Sequence, residues 1–171
     1  GAKGGKLFIR GNAAGRPMIN SVGTPKLVVN GTALDYLAES FMAGDPLEGG
    51  GFVIINGIEY DEKGEINAME TPYPGGNLFS LSSGGAIYVR DPHSRLSTSQ
   101  LNGGDFTDLT PADWAILEPL LVENEAHFGI ALAALLTVDG EVKAPEEVYR
   151  KIIPLKNKAL SVEDAWAAKH D

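Results

Sequence analysis

Glycine is confined almost entirely to one part of this chain: 19 of its 21 glycines lie in residues 1–104, and only Gly129 and Gly140 lie beyond. Such a stretch is built to turn often, because glycine enters left-handed backbone conformations at little cost and weakens helices. Charge divides at the same place. Residues 1–104 carry 8 basic and 10 acidic side chains, whereas residues 105–171 carry 6 and 13. Two architectures are therefore expected to meet near Gly103-Gly104: a glycine-rich β-region over 1–104 and a helical C-terminal extension over 105–171 packed on it.

The first region repeats itself. Lys6–Gly11 (KLFIRG), Lys26–Gly31 (KLVVNG), Phe52–Gly57 (FVIING) and Ala86–Asp91 (AIYVRD) are each about five β-branched, aliphatic or aromatic residues closed by glycine or a turn residue. Gly11 and Gly31 are 20 residues apart and Gly31 and Gly57 are 26 apart. The extra residues fall in Asp45–Gly50 and Asp61–Gly75. A repeat near this length with insertions confined to turns is the mark of a solenoid. The fold expected is mainly β: a right-handed single-stranded parallel β-helix of about four coils, then a small C-terminal helical region. Gly5, Gly11, Gly31, Gly44, Gly57, Gly84 and Gly85 are its expected structural turn glycines. The segment 33–44 has helical propensity but is read as a further strand and a corner. An antiparallel barrel or sandwich with Asn-Gly hairpin turns is the alternative.

The second region opens on a helix signal. Thr110 is the expected N-cap, Pro111 the first helical residue and Asp113 a first-turn acid, with Trp114, Leu117, Leu120, Leu121 and His127-Phe128 on one face. Pro119 is expected to bend or interrupt that helix. Residues 130–136 read as a second buried helix, Tyr149–Pro154 as an extended segment, and Ser161 as the start of a last, peripheral helix.

Chemistry is sparse. Without cysteine the chain forms no disulfide and offers no thiolate to a metal or iron–sulfur cluster. A net charge of −9 with no basic cluster does not suit nucleic acid. The longest apolar stretch, Phe128–Val138, is too short to cross a bilayer, and no secretion signal opens the sequence. A cytoplasmic location without membrane contact is expected. No nucleotide-binding fingerprint is present, and His93, His127 and His170 are not grouped as metal ligands would be. Ser82-Ser83-Gly84-Gly85 precedes a strand, the reverse of a nucleophile elbow. Glu59, Asp61 and Glu62 read as a solvated insertion rather than a calcium loop. No catalytic residue, metal site or cofactor site is assigned. Asp91, His93 and Arg95 remain as candidates for lining a groove that binds a small molecule or does chemistry.

The order of these segments resembles a known family. Residues 4–11 (GGKLFIRG), 25–33 (PKLVVNGTA), 41–44 (FMAG) and 84–90 (GGAIYVR) are similar to the GXGXG-repeat domain, which closes the large subunit of glutamate synthase and also occurs in formylmethanofuran dehydrogenase. Asp108-Leu109-Thr110, the helix through His127-Phe128-Gly129 and Lys151–Pro154 are similar to the region that follows the last repeat. The resemblance spans roughly residues 4–156 and implies a non-catalytic scaffold module that packs against glutaminase and flavoprotein domains of an ammonia-assimilating or related oxidoreductase assembly. The first strand has no cap, so its open end is expected to be covered by such a partner, by a second copy of the chain or by preceding sequence.

Overall fold

Side chains alternate across a strand, and in the central strands of this protein both alternations are apolar, so neither face of the sheet suits water. The computed structural model describes residues 1–155. In chain order its elements are β1 (Lys6–Ile9), β2 (Val22–Gly23), β3 (Lys26–Val29), β4 (Met42–Ala43), β5 (Phe52–Ile55), β6 (Ile58–Tyr60), β7 (Ile66–Ala68), β8 (Ala86–Arg90) and β9 (Gly104–Thr107). Then follow α1 (Pro111–Phe128), α2 (Leu132–Leu135), β10 (Thr137–Val138), β11 (Glu141–Val142), α3 (Pro145–Val148) and β12 (Tyr149–Pro154).

Six strands form one sheet in the order β1-β3-β5-β8-β12-β9. The first four run parallel and in register, so that Leu7, Leu27, Val53 and Ile87 form one row and Phe8, Val28, Ile54 and Tyr88 the next. β12 enters antiparallel between β8 and β9. Leu27, Val29, Val53, Ile55, Ile87 and Val89 face a core closed by the segments that connect the strands, chiefly Leu37, Phe41, Tyr73, Leu78 and Phe79. Val28, Phe52, Ile54 and Tyr88 face a second core closed by Leu117, Leu121, Ile130, Leu135 and Val148.

This corrects the expected fold. The protein is not a mainly β, right-handed parallel β-helix followed by a helical region; it is a mixed α/β protein built on a mostly parallel six-stranded sheet of short strands. A solenoid accounts only for the apolar row that a coil would turn inward. The opposite row is equally apolar and is roofed by α1, which makes the helical part a layer of the fold. The chain beyond residue 104 also supplies β9 and β12 to the same sheet. The antiparallel alternative fails on strand direction, since β1, β3, β5 and β8 are parallel.

Helix α1 begins as its sequence dictates. Thr110 Oγ1 accepts from the Asp113 amide at 3.2 Å, and the Asp113 carboxylate accepts from the Thr110 amide at 2.9 Å. The helix runs through Pro119 to Phe128, so that proline does not interrupt it, and ends on Gly129 at φ +70°. The segment 33–44 forms no helix; it contributes a bridge at Ala33 and then β4. The helix expected from Ser161 lies outside the described residues. Among those residues no helix is long and apolar enough to cross a membrane.

One backbone feature has no signal in the sequence. In three connecting segments alternate non-glycine residues adopt left-handed φ: Met18 and Asn20, then Tyr36, Ala38 and Ser40, then Asn77, Phe79 and Leu81. Each such residue costs roughly 1–2 kcal/mol. The segments bond to one another, Ala38 N–H to Pro17 O at 2.9 Å, Asn20 N–H to Glu39 O at 3.0 Å and Phe79 N–H to Leu37 O at 3.0 Å. Those bonds, and the burial of Ala38 and Phe79, offset the strain.

Candidate functional site

A cleft of about 660 Å³ opens where three pieces of chain meet: the β6–β7 hairpin and the residues after it, the turn that ends β8, and the α2–β10 junction. Ile58, Ile66, Met69, Leu135 and Val138 give it apolar walls, and Arg90, Asp91, His93 and Arg95 all line it. The sequence-predicted groove residues are therefore brought together. Their roles differ.

Asp91 is 3 % exposed and fully engaged. It accepts from the Arg95 amide at 2.8 Å and the Leu96 amide at 3.0 Å, and it pairs with the Arg150 guanidinium at 2.9 Å. It pins the turn after β8 and ties it to β12, so it is a positioning residue. His93 is half-exposed and faces Asp139 at 3.6 Å. Arg95 is exposed, with Nη1 reaching the Glu70 carbonyl at 3.5 Å. Arg90, beside them, carries no signal in the sequence because it ends an apolar strand where a solvated residue is ordinary. It is buried, and that burial pulls its pKa below the usual arginine value.

Two further polar clusters lie inside. Asn30, Asn56 and Asn124 are wholly buried. Asn30 and Asn124 exchange two amide bonds at 2.8 Å, Asn56 donates to Asn30 at 2.9 Å, and the Tyr149 hydroxyl donates to Asn56 at 2.7 Å. The ladder joins β3, β5, α1 and β12. In the sequence Asn30 and Asn56 read only as turn residues before glycine. In the other cluster the Asp113 carboxylate accepts from Lys151 Nζ at 2.8 Å and from the Tyr88 hydroxyl at 2.6 Å. Burial raises the Asp113 pKa, but the bonds from Lys151, Tyr88 and Thr110 outweigh it and hold the carboxyl below the usual range. Burial first, and then the bond to Asp113, push the Tyr88 phenol well above the ordinary tyrosine value. These groups satisfy one another and fix α1 on the sheet.

The remaining candidates are structural or dispersed. Gly5, Gly57 and Gly85 have left-handed φ, whereas Gly11, Gly31, Gly44 and Gly84 do not. At Gly84 a Cβ would strike the Ala43 carbonyl, and at Gly31 it would strike Asn12 and the Gly11 backbone, so these two mark close approach rather than turning. Asp61 closes its own loop, accepting from the Lys63 and Glu65 amides at 2.8 and 2.9 Å. His127 stands 3.8 Å from Glu123 on the surface of α1. Among the described residues no group of three His, Asp or Glu is placed to hold a metal ion.

The β1 edge is the other exposed feature. Gly5 and Ile9 carbonyls accept from the Lys26 and Asn30 amides at 2.9 and 3.0 Å. In a parallel ladder this turns the backbone groups of Lys6 and Phe8 away from β3, where no described strand meets them. Leu7 is 57 % exposed, while Leu27, its partner one strand inward, is 1 % exposed.

The fold and these sites define, over the described residues, a mixed α/β protein with an open parallel edge and a lateral cleft. Compared with protein-family models, with curated proteins and with solved structures, the chain matches none.

Proposed function

We propose that this chain is a non-catalytic assembly module that works in the cytoplasm as part of a glutamate synthase-like or related oxidoreductase complex. The partner is an extended segment of the complex that lies parallel on β1. The observation that carries the reading is the step in burial between Leu7 and Leu27, which occupy one row of one sheet. A further parallel strand would pair the outward groups of Lys6 and Phe8 and bury Leu7, worth roughly 1–2 kcal/mol for that side chain alone. The order of glycine-ended segments and the helix that follows them support the class of partner. Self-association through the same edge is the outcome to be separated from it.

The test uses tagged chain recovered from the cells that make it. The module should bring down proteins whose visible absorbance reports flavin or iron–sulfur centres. Lys6→Pro removes one outward donor at the first position of its strand, where proline is tolerated, and should abolish that recovery without altering the circular dichroism spectrum. Recovery of the chain alone, as a self-associated species, or with partners that Lys6→Pro retains, would overturn the reading.

A further inference from the structure

The cleft beside β8 contains a buried cation that no acidic side chain among the described residues balances. Arg90 is 7 % exposed. Its Nε donates to the Leu135 carbonyl at 2.7 Å and its Nη2 to the Thr137 carbonyl at 3.0 Å. Carbonyl dipoles are its only hydrogen-bond partners among those residues. Lys151, the other buried cation among the described residues, is treated differently: the Asp113 carboxylate lies 2.8 Å from it. Of the three acids that line the cleft, none pairs with Arg90: Glu70 is exposed and makes no ion pair with it. Asp91 is held by Arg150 at 2.9 Å, and Asp139 faces His93 at 3.6 Å.

Removing a charge from water is costly unless an opposite charge and hydrogen bonds replace the lost hydration. Nη1 of Arg90 has no hydrogen-bond partner among the described residues, yet no fully buried side-chain nitrogen there lacks one. Nη1 is therefore reached from outside, and the space Arg90 lines is the cleft. Because Nε and one side of Nη2 are occupied, the end of the guanidinium remains, with N–H groups on Nη1 and Nη2 spaced for the two oxygens of a carboxylate. The apolar walls of the cleft would cover an apolar body, and about 660 Å³ falls within the range of small-molecule sites.

We propose that this cleft binds a small organic carboxylate, clamped end-on by Nη1 and Nη2 of Arg90, with its apolar body against Ile58, Ile66, Met69 and Leu135. Arg95 adds positive potential beside the site, and the exposed Glu70 and Asp139 at its rim oppose it, so the clamp on Arg90 carries the preference for the anion. The proposal is independent of the assembly role, since β1 contributes nothing to the cleft.

The experiment is a titration of the isotope-labelled full chain with 3-phenylpropionate and, separately, with 3-phenylpropionamide, followed by amide chemical shifts. The carboxylate should give saturable shifts at Gly57, Ile66, Asn67 and Arg95, and the uncharged amide should bind roughly ten- to a hundredfold more weakly. Arg90→Gln retains a donor for the Leu135 or Thr137 carbonyl and should lose the preference for the anion. Ala68→Trp, at an exposed lining position, should block both ligands while Arg90 stays in place, so the test survives if Arg90→Gln does not fold. Absence of saturable shifts, equal binding of acid and amide, or full binding by either variant would overturn the assignment.

Discussion

Replacing Asn30 by alanine should show that the buried asparagine ladder holds the helical layer to the sheet. Asn30 is wholly buried and its side chain takes part in four hydrogen bonds: to the Ile9 carbonyl at 2.8 Å, two with Asn124 at 2.8 Å, and one from Asn56 at 2.9 Å. Asn30→Ala leaves three buried groups without partners, namely both ends of the Asn124 amide and the Asn56 nitrogen. At about 1–3 kcal/mol for each orphaned group, and with a water entering the space left behind, the cost should be about 3–5 kcal/mol. Urea unfolding followed by circular dichroism should then show the midpoint falling by about 1.5–2.5 M at unchanged slope, taking m near 2 kcal/mol/M. Asn67→Ala, at an exposed position of β7, should stay within about 0.5 kcal/mol of the parent. Asn124→Ala should be far less costly in the Asn30→Ala background than alone, a coupling of about 1–3 kcal/mol, because its partners have already gone. A cost below about 1 kcal/mol for Asn30→Ala, or simple additivity of the two changes, would refute the claim that these amides depend on one another.

Two more perturbations address the packing and the buried ion pair. Gly84→Ala drives a methyl group into the Ala43 carbonyl and should destabilise by about 1–3 kcal/mol, whereas Gly11→Ala meets open space and should be neutral or stabilising by up to about 1 kcal/mol; thermal melts of the pair decide it. Asp113, held below the usual carboxyl range when folded, contributes stability that is present above the unfolded pKa of about 4 and is lost as pH falls through the lower folded value. Urea midpoints from pH ~7 down to pH ~3 should therefore fall more steeply for the parent than for the Asp113→Asn/Lys151→Met variant, and equal slopes would count against the pairing.

The strands and the first helix were legible because their determinants are local. Lys26–Val29, Phe52–Ile55 and Ala86–Arg90 are runs of residues that favour extended backbone, and each lies where the apolar segments of the sequence predict it. Thr110, Pro111 and Asp113 set the start of α1 through bonds that span only three residues. The meeting of Asp91, His93 and Arg95 at one place was also legible, since a turn of five residues keeps them near one another whatever lies around them.

What the sequence left open depends on contacts between distant parts. The spacing of glycine-ended strands is compatible with a solenoid, and only the docking of α1 on the outer row, with β12 alongside β8, decided for a two-layered mixed sheet. Local preference opposes left-handed φ at Ala38, Ser40 and Phe79, and bonds to segments about 20 to 40 residues away in the chain impose it. Arg90 and Asn30 each occupy an ordinary position at the end of a strand. Burial beneath residues more than 40 positions away gives one an unbalanced charge and the other a set of amide partners. Local sequence determines which conformations cost little, whereas desolvation and hydrogen bonding between remote segments decide which are occupied.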